Sequence, residues 1–203
     1  MVEPMRAEHF RIRERVTYQI TDLHDLNAVV ERFSKNKKRQ LQKAVTLSVD
    51  KNLTPEEFYT FHSQCMSLQR KHISYSREFF LVLNRKSMRE GQSQIIAIRN
   101  ADGELCAAAY LVWDKNKMYY LIPCYNPKFK ESGANALLVV EALKLAREKG
   151  VIFDFEGSNQ RGTAAHYKQF GSEKMTYYSV EKYYKQTFRF AMGVNYLRNL
   201  KYR

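Results

Sequence analysis

Residues 94–125 read QIIAIRNADGELCAAAYLVWDKNKMYYLIPCY, and this stretch decides the fold. Three strand-like runs, Gln94 to Arg99, Glu104 to Trp113 and Met118 to Tyr125, are separated by Ala101-Asp102-Gly103 and by Asp114-Lys115-Asn116-Lys117. Such short polar turns between β-prone runs predict an antiparallel meander. The middle run, ELCAAAYLVW, is apolar nearly throughout, so it belongs in the centre of a sheet covered on both faces.

Working outward toward the C-terminus, Ala134 to Lys149 has helical periodicity and stops at Gly150. The strand VIFDFE follows, then the loop GSNQRG, a short helix through Phe170 stopped by Gly171, and a tyrosine-rich strand from Lys174 to Tyr183. On the N-terminal side, Val16 to Ile20 alternates as a strand, and Asp22 to Phe33 carries Leu23, Leu26, Val29, Val30 and Phe33 at helical spacing. Ser34 can cap a second, very basic helix, KNKKRQLQKAV, and Leu47 to Val49 reads as a strand. Thr54, Pro55 and Glu57 form a capping box with proline at the first helical position, opening a helix that runs to about Lys71. A further helix spans Arg77 to Glu90 and stops at Gly91. The fold class expected is α/β (α+β), a mixed and mostly antiparallel sheet with helices on both faces. Without a repeat or a Gly/Ser/Pro linker, residues 1–203 read as a single domain, with 1–45 its N-terminal strand and basic helices and 184–203 a C-terminal helical tail.

The 203 residues carry 34 Lys and Arg against 21 Asp and Glu, a formal charge of +13, with 44% hydrophobic residues and only 8 Gly and 4 Pro. That composition excludes disorder, collagen-like repeats and a disulfide-stapled miniprotein. Cys65, Cys106 and Cys124 are odd in number and widely spaced among apolar neighbours, which fits buried thiols in a reducing compartment. The longest apolar run, Leu105 to Trp113, is about half the ~20 residues of a membrane-spanning helix, and the charged N-terminus has no apolar signal region. A cytoplasmic location is expected. The cations crowd Lys35, Lys37, Lys38, Arg39 and Lys43, and again Lys182, Lys185, Arg189, Arg198, Lys201 and Arg203. Such clusters suit polyanions, and equally a solvated face.

Three places can carry chemistry. Ser132, Gly133 and Ala134 stand where a loop turns into a helix after a central strand; small residues there admit a phosphate to backbone N–H groups, with Lys128 and Lys130 nearby. In VIFDFE, Phe153 and Phe155 face one way and Asp154 and Glu156 the other, near the C-terminal end of a strand, where a carboxylate can take a proton from an attacking amine. Asp154 can equally cap a turn or pair with Arg161. Tyr167, four residues before Gly171, has a phenol able to protonate a leaving thiolate or alkoxide, although a tyrosine on a short helix is also a common core residue. His166 reads as surface or structural. None of His9, His24, His62, His72 or His166 has the spacing of a metal site, so no metal is expected.

Together the meander, the small-residue loop opening a helix, the strand after it and AAHYKQFG (164–171) resemble the GNAT N-acetyltransferase superfamily. The resemblance implies a strand splayed from its neighbour to admit a thioester, a loop that binds the pyrophosphate of coenzyme A, and a tyrosine that protonates the departing thiol. By motif, Lys130, Ser132, Gly133, Ala134 and Asn135 stand in that loop and Tyr167 at that tyrosine. The segments SKNKKRQLQKA (34–44), DGELCAAAYLVW (102–113) and FDFEGS (153–158) with the helix ending QFG further resemble the FemAB-like branch, related to Fem-type aminoacyltransferases.

The resemblance implies an acyltransferase moving an acyl group, acetyl or another, from acyl-CoA to a small-molecule or peptide amine, with a backbone N–H of the splayed strand holding the oxyanion. Tyr167 is then the acid and Glu156 or Asp154 the base. The alternative donor is an aminoacyl-tRNA held through Lys35, Lys37, Lys38, Arg39 and Lys43. A third reading is a non-catalytic adaptor of the same fold that binds nucleic acid or protein.

Overall fold

The computed structural model describes residues 10–157 and 161–182. The strands are β1 (Arg11–Ile20), β2 (Ser48–Asp50), β3 (Ser93–Arg99), β4 (Leu105–Trp113), β5 (Lys117–Tyr125), β6 (Ile152–Asp154) and β7 (Glu173–Glu181). The helices are α1 (Leu26–Glu31), α2 (Lys35–Lys43), α3 (Pro55–Leu68), α4 (Arg77–Arg89), α5 (Ala134–Glu148) and α6 (Arg161–Lys168). The sheet order is β2-β3-β4-β5-β6-β1-β7. Among the pairings between these strands, β5 with β6 runs parallel, and β2-β3, β3-β4, β4-β5 and β1-β6 are antiparallel. Residues 17–175 form one compact unit, and residues 10–16 with 176–182 are the described part of a second, in which the Lys182 ammonium lies 4.5 Å from the centre of the Phe10 ring.

The expected mixed sheet is therefore present, and its local causes are visible. Thr54 Oγ1 accepts from the Glu57 N–H at 3.2 Å while the Glu57 carboxylate accepts from the Thr54 N–H at 2.9 Å, closing the capping box that starts α3. On β3, Ile95 and Ala97 point toward α3 and α4, where Phe58, Phe61, Cys65, Phe80, Ala108 and Tyr110 make one packed core. Ile96 and Ile98 alternate to the other face, against α5. β4 is buried from Cys106 to Leu111, as expected of a strand covered on both sides. Phe58 and Phe80 have no exposed surface, and burying each contributes roughly 2–3 kcal/mol.

Some boundaries differ from the reading of the sequence. β1 begins at Arg11, where charged residues hide its periodicity, and α1 starts only at Leu26, because the Asp25 carboxylate caps it by accepting from the N–H groups of Asn27 and Ala28. VIFDFE is a strand only over Ile152–Asp154; Glu156 has φ +64° and has left the strand. The tail 184–203, Tyr183 and loop residues 158–160 lie outside the described residues.

Two irregularities of β5 open the sheet along one strand. Its ladder with β6 covers Lys117↔Ile152, Met118↔Phe153 and Tyr119↔Asp154 and goes no further, so the strands fork after Tyr119. The register with β4 also shifts there: Tyr110 faces Ile122 and Val112 faces Tyr119, so Tyr120 and Leu121 together oppose Leu111 as a bulge.

Candidate active site

A cavity of about 580 Å³ opens at this fork. Its walls come from α2 (Lys37, Gln40), the end of α3 (Met66, Gln69), the free half of β5 (Tyr120, Pro123, Cys124, Tyr125), the loop into α5 (Lys130, Ala134, Asn135) and α6 (His166, Tyr167). The structure thus brings Lys130, Ala134, Asn135 and Tyr167, residues singled out in two separate motifs, into one cleft.

Tyr167 is held by its surroundings. Its ring stacks on Phe155 with centroids 4.5 Å apart, and burial, with the nearby Glu156 carboxylate adding to it, pushes the phenol up to about 12. It stays protonated at neutral pH, as a proton donor must. Asn135 Nδ2 is 3.4 Å from His166 Nε2, joining the start of α5 to α6. Burial, and then the charge of Lys37, lowers His166 to about 4, so its imidazole is neutral at pH 7.

Ser132 and Gly133 stand behind the cavity wall and shape it. Ser132 Oγ donates to the Phe129 carbonyl at 2.8 Å and accepts from the Ala134 N–H at 3.2 Å, taking up the first amide of α5. Gly133 has φ +86°, and a Cβ there would lie 2.1 Å from the Gln40 carbonyl oxygen. Glycine is required at 133 because α2 rests its backbone on that point.

Three further candidates, Lys128, Asp154 and Glu156, are not among the residues that line the cavity either. Lys128 turns away to pair with Glu104 at 2.9 Å and lies over the Phe129 ring. Asp154 sits on the opposite face of β6 from Phe153 and Phe155, buried, accepting from Thr17 Oγ1 at 2.5 Å, Gln19 Nε2 at 2.6 Å and the Glu156 N–H at 2.9 Å, with Lys117 Nζ at 3.8 Å. With its lone pairs engaged on the far face, Asp154 is a fastener between β6 and β1. Of the readings the sequence leaves open for Asp154, these contacts match the turn cap. Glu156 is exposed and close enough for its charge to raise the Tyr167 phenol.

Lys37 is also placed differently from the sequence reading. The sequence groups it with the exposed cations of the basic helix, yet it is 4% exposed and lines the cavity, with Nζ donating to Gln40 Oε1 at 3.1 Å and lying 4.8 Å from the Phe170 ring centre. Desolvation lowers it to about 8. Lys35, Arg39 and Lys43 project from α2 in the basic cluster, and Lys38 pairs with Glu31. Cys65, Cys106 and Cys124 are free and buried. Among the described residues no group of His, Cys, Asp and Glu could hold a metal, and no helix is long and apolar enough to cross a membrane.

Sequence reasoning misses Tyr120. Its ring packs on Phe153 and Phe155, with centroids 5.7 and 6.0 Å away, and its hydroxyl is buried with no hydrogen-bond partner among the described residues. Nothing in MYYLIPCY marks which of two adjacent tyrosines turns toward the fork.

The model of the acetyltransferase (GNAT) domain matches residues 6–169. No curated protein matches the chain by sequence. Among solved structures, FemX superposes with a TM-score of 0.71 at 14% identity over 85% of this chain. The C-terminal domain of a putative lysylphosphatidylglycerol synthetase from Agrobacterium fabrum superposes with a TM-score of 0.60 at 13% identity over 89% of this chain. The chain spans 65% and 64% of these two structures, just under two thirds of their length. At such identities the likeness is one of fold, a GNAT and Fem-like fold. The match to the family model covers most of the sequence, from before β1 to the end of α6, and includes the fork, the loop into α5 and Tyr167. The chain accordingly belongs to the acetyltransferase (GNAT) domain family, whose chemistry is acyl transfer.

Proposed function

We propose that this protein transfers an acyl group from an acyl-CoA thioester to an amine, with Tyr167 as the general acid. The observation that carries this reading is the single cleft at the fork of β5 and β6, which holds Tyr167 together with Lys130, Ala134 and Asn135. The residues fit an extended thioester arm. The free half of β5 offers an open edge to lie along, Lys130 and Lys37 supply positive charge, and the buried Tyr120 hydroxyl awaits a partner.

In this reading the amine nitrogen attacks the thioester carbonyl, a C–N bond forms and the C–S bond breaks. Tyr167 passes its proton to the departing sulfur, and Glu156 takes the proton that the nitrogen sheds. The neutral His166 and Asn135 hold α6 against α5, keeping the phenol in place. Acetyl-CoA is the first donor to test, against a panel of primary amines and free peptide N-termini, by following thiol release. Tyr167→Phe should lower kcat at least about 100-fold, the lower bound of what general acid catalysis contributes. Unchanged turnover in that variant would remove Tyr167 from the role.

A second reading takes the acyl group from aminoacyl-tRNA. In its favour are Lys35, Arg39 and Lys43 on α2 and the likeness in fold to FemX and to a lysylphosphatidylglycerol synthetase domain, a name that speaks of a lysyl group joined to a lipid. Its signature is tRNA binding that weakens steeply with salt, with a log-log slope of about −0.9 for each neutralised phosphate on a duplex.

A further inference from the structure

Acyl transfer passes through a tetrahedral intermediate whose oxygen carries negative charge, and a donor must meet that oxygen. In the fold this chain resembles, the donor expected is a backbone N–H of the splayed strand. The pairs Tyr110↔Ile122 and Ala108↔Cys124, with the Asn126 N–H donating to the Cys106 carbonyl, turn residues 122, 124 and 126 toward β4. By the two-residue period, residues 121, 123 and 125 present their backbone to the open side of the fork. The middle one is Pro123, which has no N–H.

The wall of the same cavity holds a donor with nothing to donate to. Tyr120 is the first residue of β5 past the last β5–β6 pair, and it lies in the bulge. Its ring and that of Tyr167 both pack on Phe155, with centroids 6.0 and 4.5 Å away, and both residues line the cavity. The Tyr120 hydroxyl has no partner among the described residues, although the residue is only 2% exposed. Buried hydroxyls are ordinarily satisfied, and one without a partner on a residue that lines a cleft is a candidate contact for a ligand atom.

We infer that Tyr120 is a second catalytic phenol, whose O–H donates to the thioester carbonyl oxygen as it becomes an oxyanion, in the place that Pro123 leaves without an amide. The inference rests on the acyl-transfer reading and assigns a residue that reading lacks. Tyr120 keeps its proton throughout; only the hydrogen bond shortens as charge builds on the oxygen, and it relaxes when the C–S bond breaks. Burial, and then the neighbouring Tyr167 and Cys124, push this phenol well above its ordinary range, so it remains a donor at any working pH.

Tyr120→Phe retains the ring contacts and removes only the hydroxyl. The expected result is a melting temperature equal to or above that of the wild type, a donor KM within about threefold, and kcat lower by about 10²- to 10³-fold. Comparing two donors separates the two phenols. With S-(4-nitrophenyl) thioacetate, whose leaving group needs no proton, Tyr167→Phe should recover to within about fivefold of wild type, whereas Tyr120→Phe should stay about 10²-fold low.

Three results overturn the assignment while leaving acyl transfer intact: Tyr120→Phe keeping more than about a third of wild-type kcat, recovering on the activated thioester as Tyr167→Phe does, or melting several degrees lower because the hydroxyl has a structural partner. A wild-type protein that transfers an acyl group from neither thioester fails the thioester reading itself, and this inference with it.

Discussion

Tyr110 and Tyr120 are buried tyrosines on neighbouring strands, and they are treated differently. Tyr110 lies under α3 and α4, its ring 5.2 Å from Phe80 and 6.3 Å from Phe58, and it shares a hydrogen bond of 2.6 Å with Ser87 Oγ. Tyr120 lies at the fork, packed just as closely on Phe153 and Phe155, with its hydroxyl unmatched among the described residues. One tyrosine is buried with its hydroxyl satisfied; the other is buried with its hydroxyl open. The difference separates a part of the molecule selected to hold together from a part selected to hold something else.

Four substitutions sharpen or break this contrast. Phe58→Ala should have the largest effect, a loss of about 3–5 kcal/mol in denaturant unfolding, since the ring is completely buried in the α3–α4 core. A loss below about 1 kcal/mol would mean that this face is not what stabilises the domain. Tyr110→Phe should lose about 1 kcal/mol, the ordinary net value of a buried hydrogen bond, where Tyr120→Phe loses nothing. Equal losses for the two would erase the distinction.

Lys37→Met, in the cavity wall, should change stability in the opposite sense, gaining on the order of 1 kcal/mol at pH 7 by removing a desolvated ammonium. The sign also appears in the pH profile. Lys37 titrates near 8 when folded and near 10.5 when unfolded, so between these values the unfolded chain binds more protons and wild-type stability climbs with pH. His166, near 4 when folded against 6.5 unfolded, adds a similar climb between pH 4 and 6.5. Lys37→Met should flatten the alkaline rise and leave the acidic one, measured by unfolding across pH. An unaltered alkaline rise would place Lys37 in solvent.

The parts of the fold legible in the sequence are those whose signals are local. The meander follows from turns and alternation, α3 from its capping box, and α5 from a small-residue start and a glycine stop. The cleft is half legible: Tyr167 and the loop into α5 emerge from motif order. Lys37 does not, because in SKNKKRQ a lysine turned inward has the same neighbours as those turned outward; only the packing of α2 on Phe170 and α5 distinguishes it. Glu156 reads as strand because its positive φ has no sequence signature outside glycine. Tyr120 stays hidden because its function depends on where a ladder stops, which is a property of two strands and not of one.

That stopping point depends on Asp154, opposite Tyr119 on the parallel side and Gln19 on the antiparallel side. Tyr119 and Tyr120 are chemically identical neighbours, so side-chain chemistry alone does not choose which of them ends the zipper. A one-step slip of β6 would turn Phe153 away from Tyr120 and bring Asp154 to that face, while leaving an ordinary-looking sheet. Thr17 and Gln19, by clasping that single carboxylate, act as the indexing pin of the reading frame. Loosening them would produce a protein that is folded but miscounted by one.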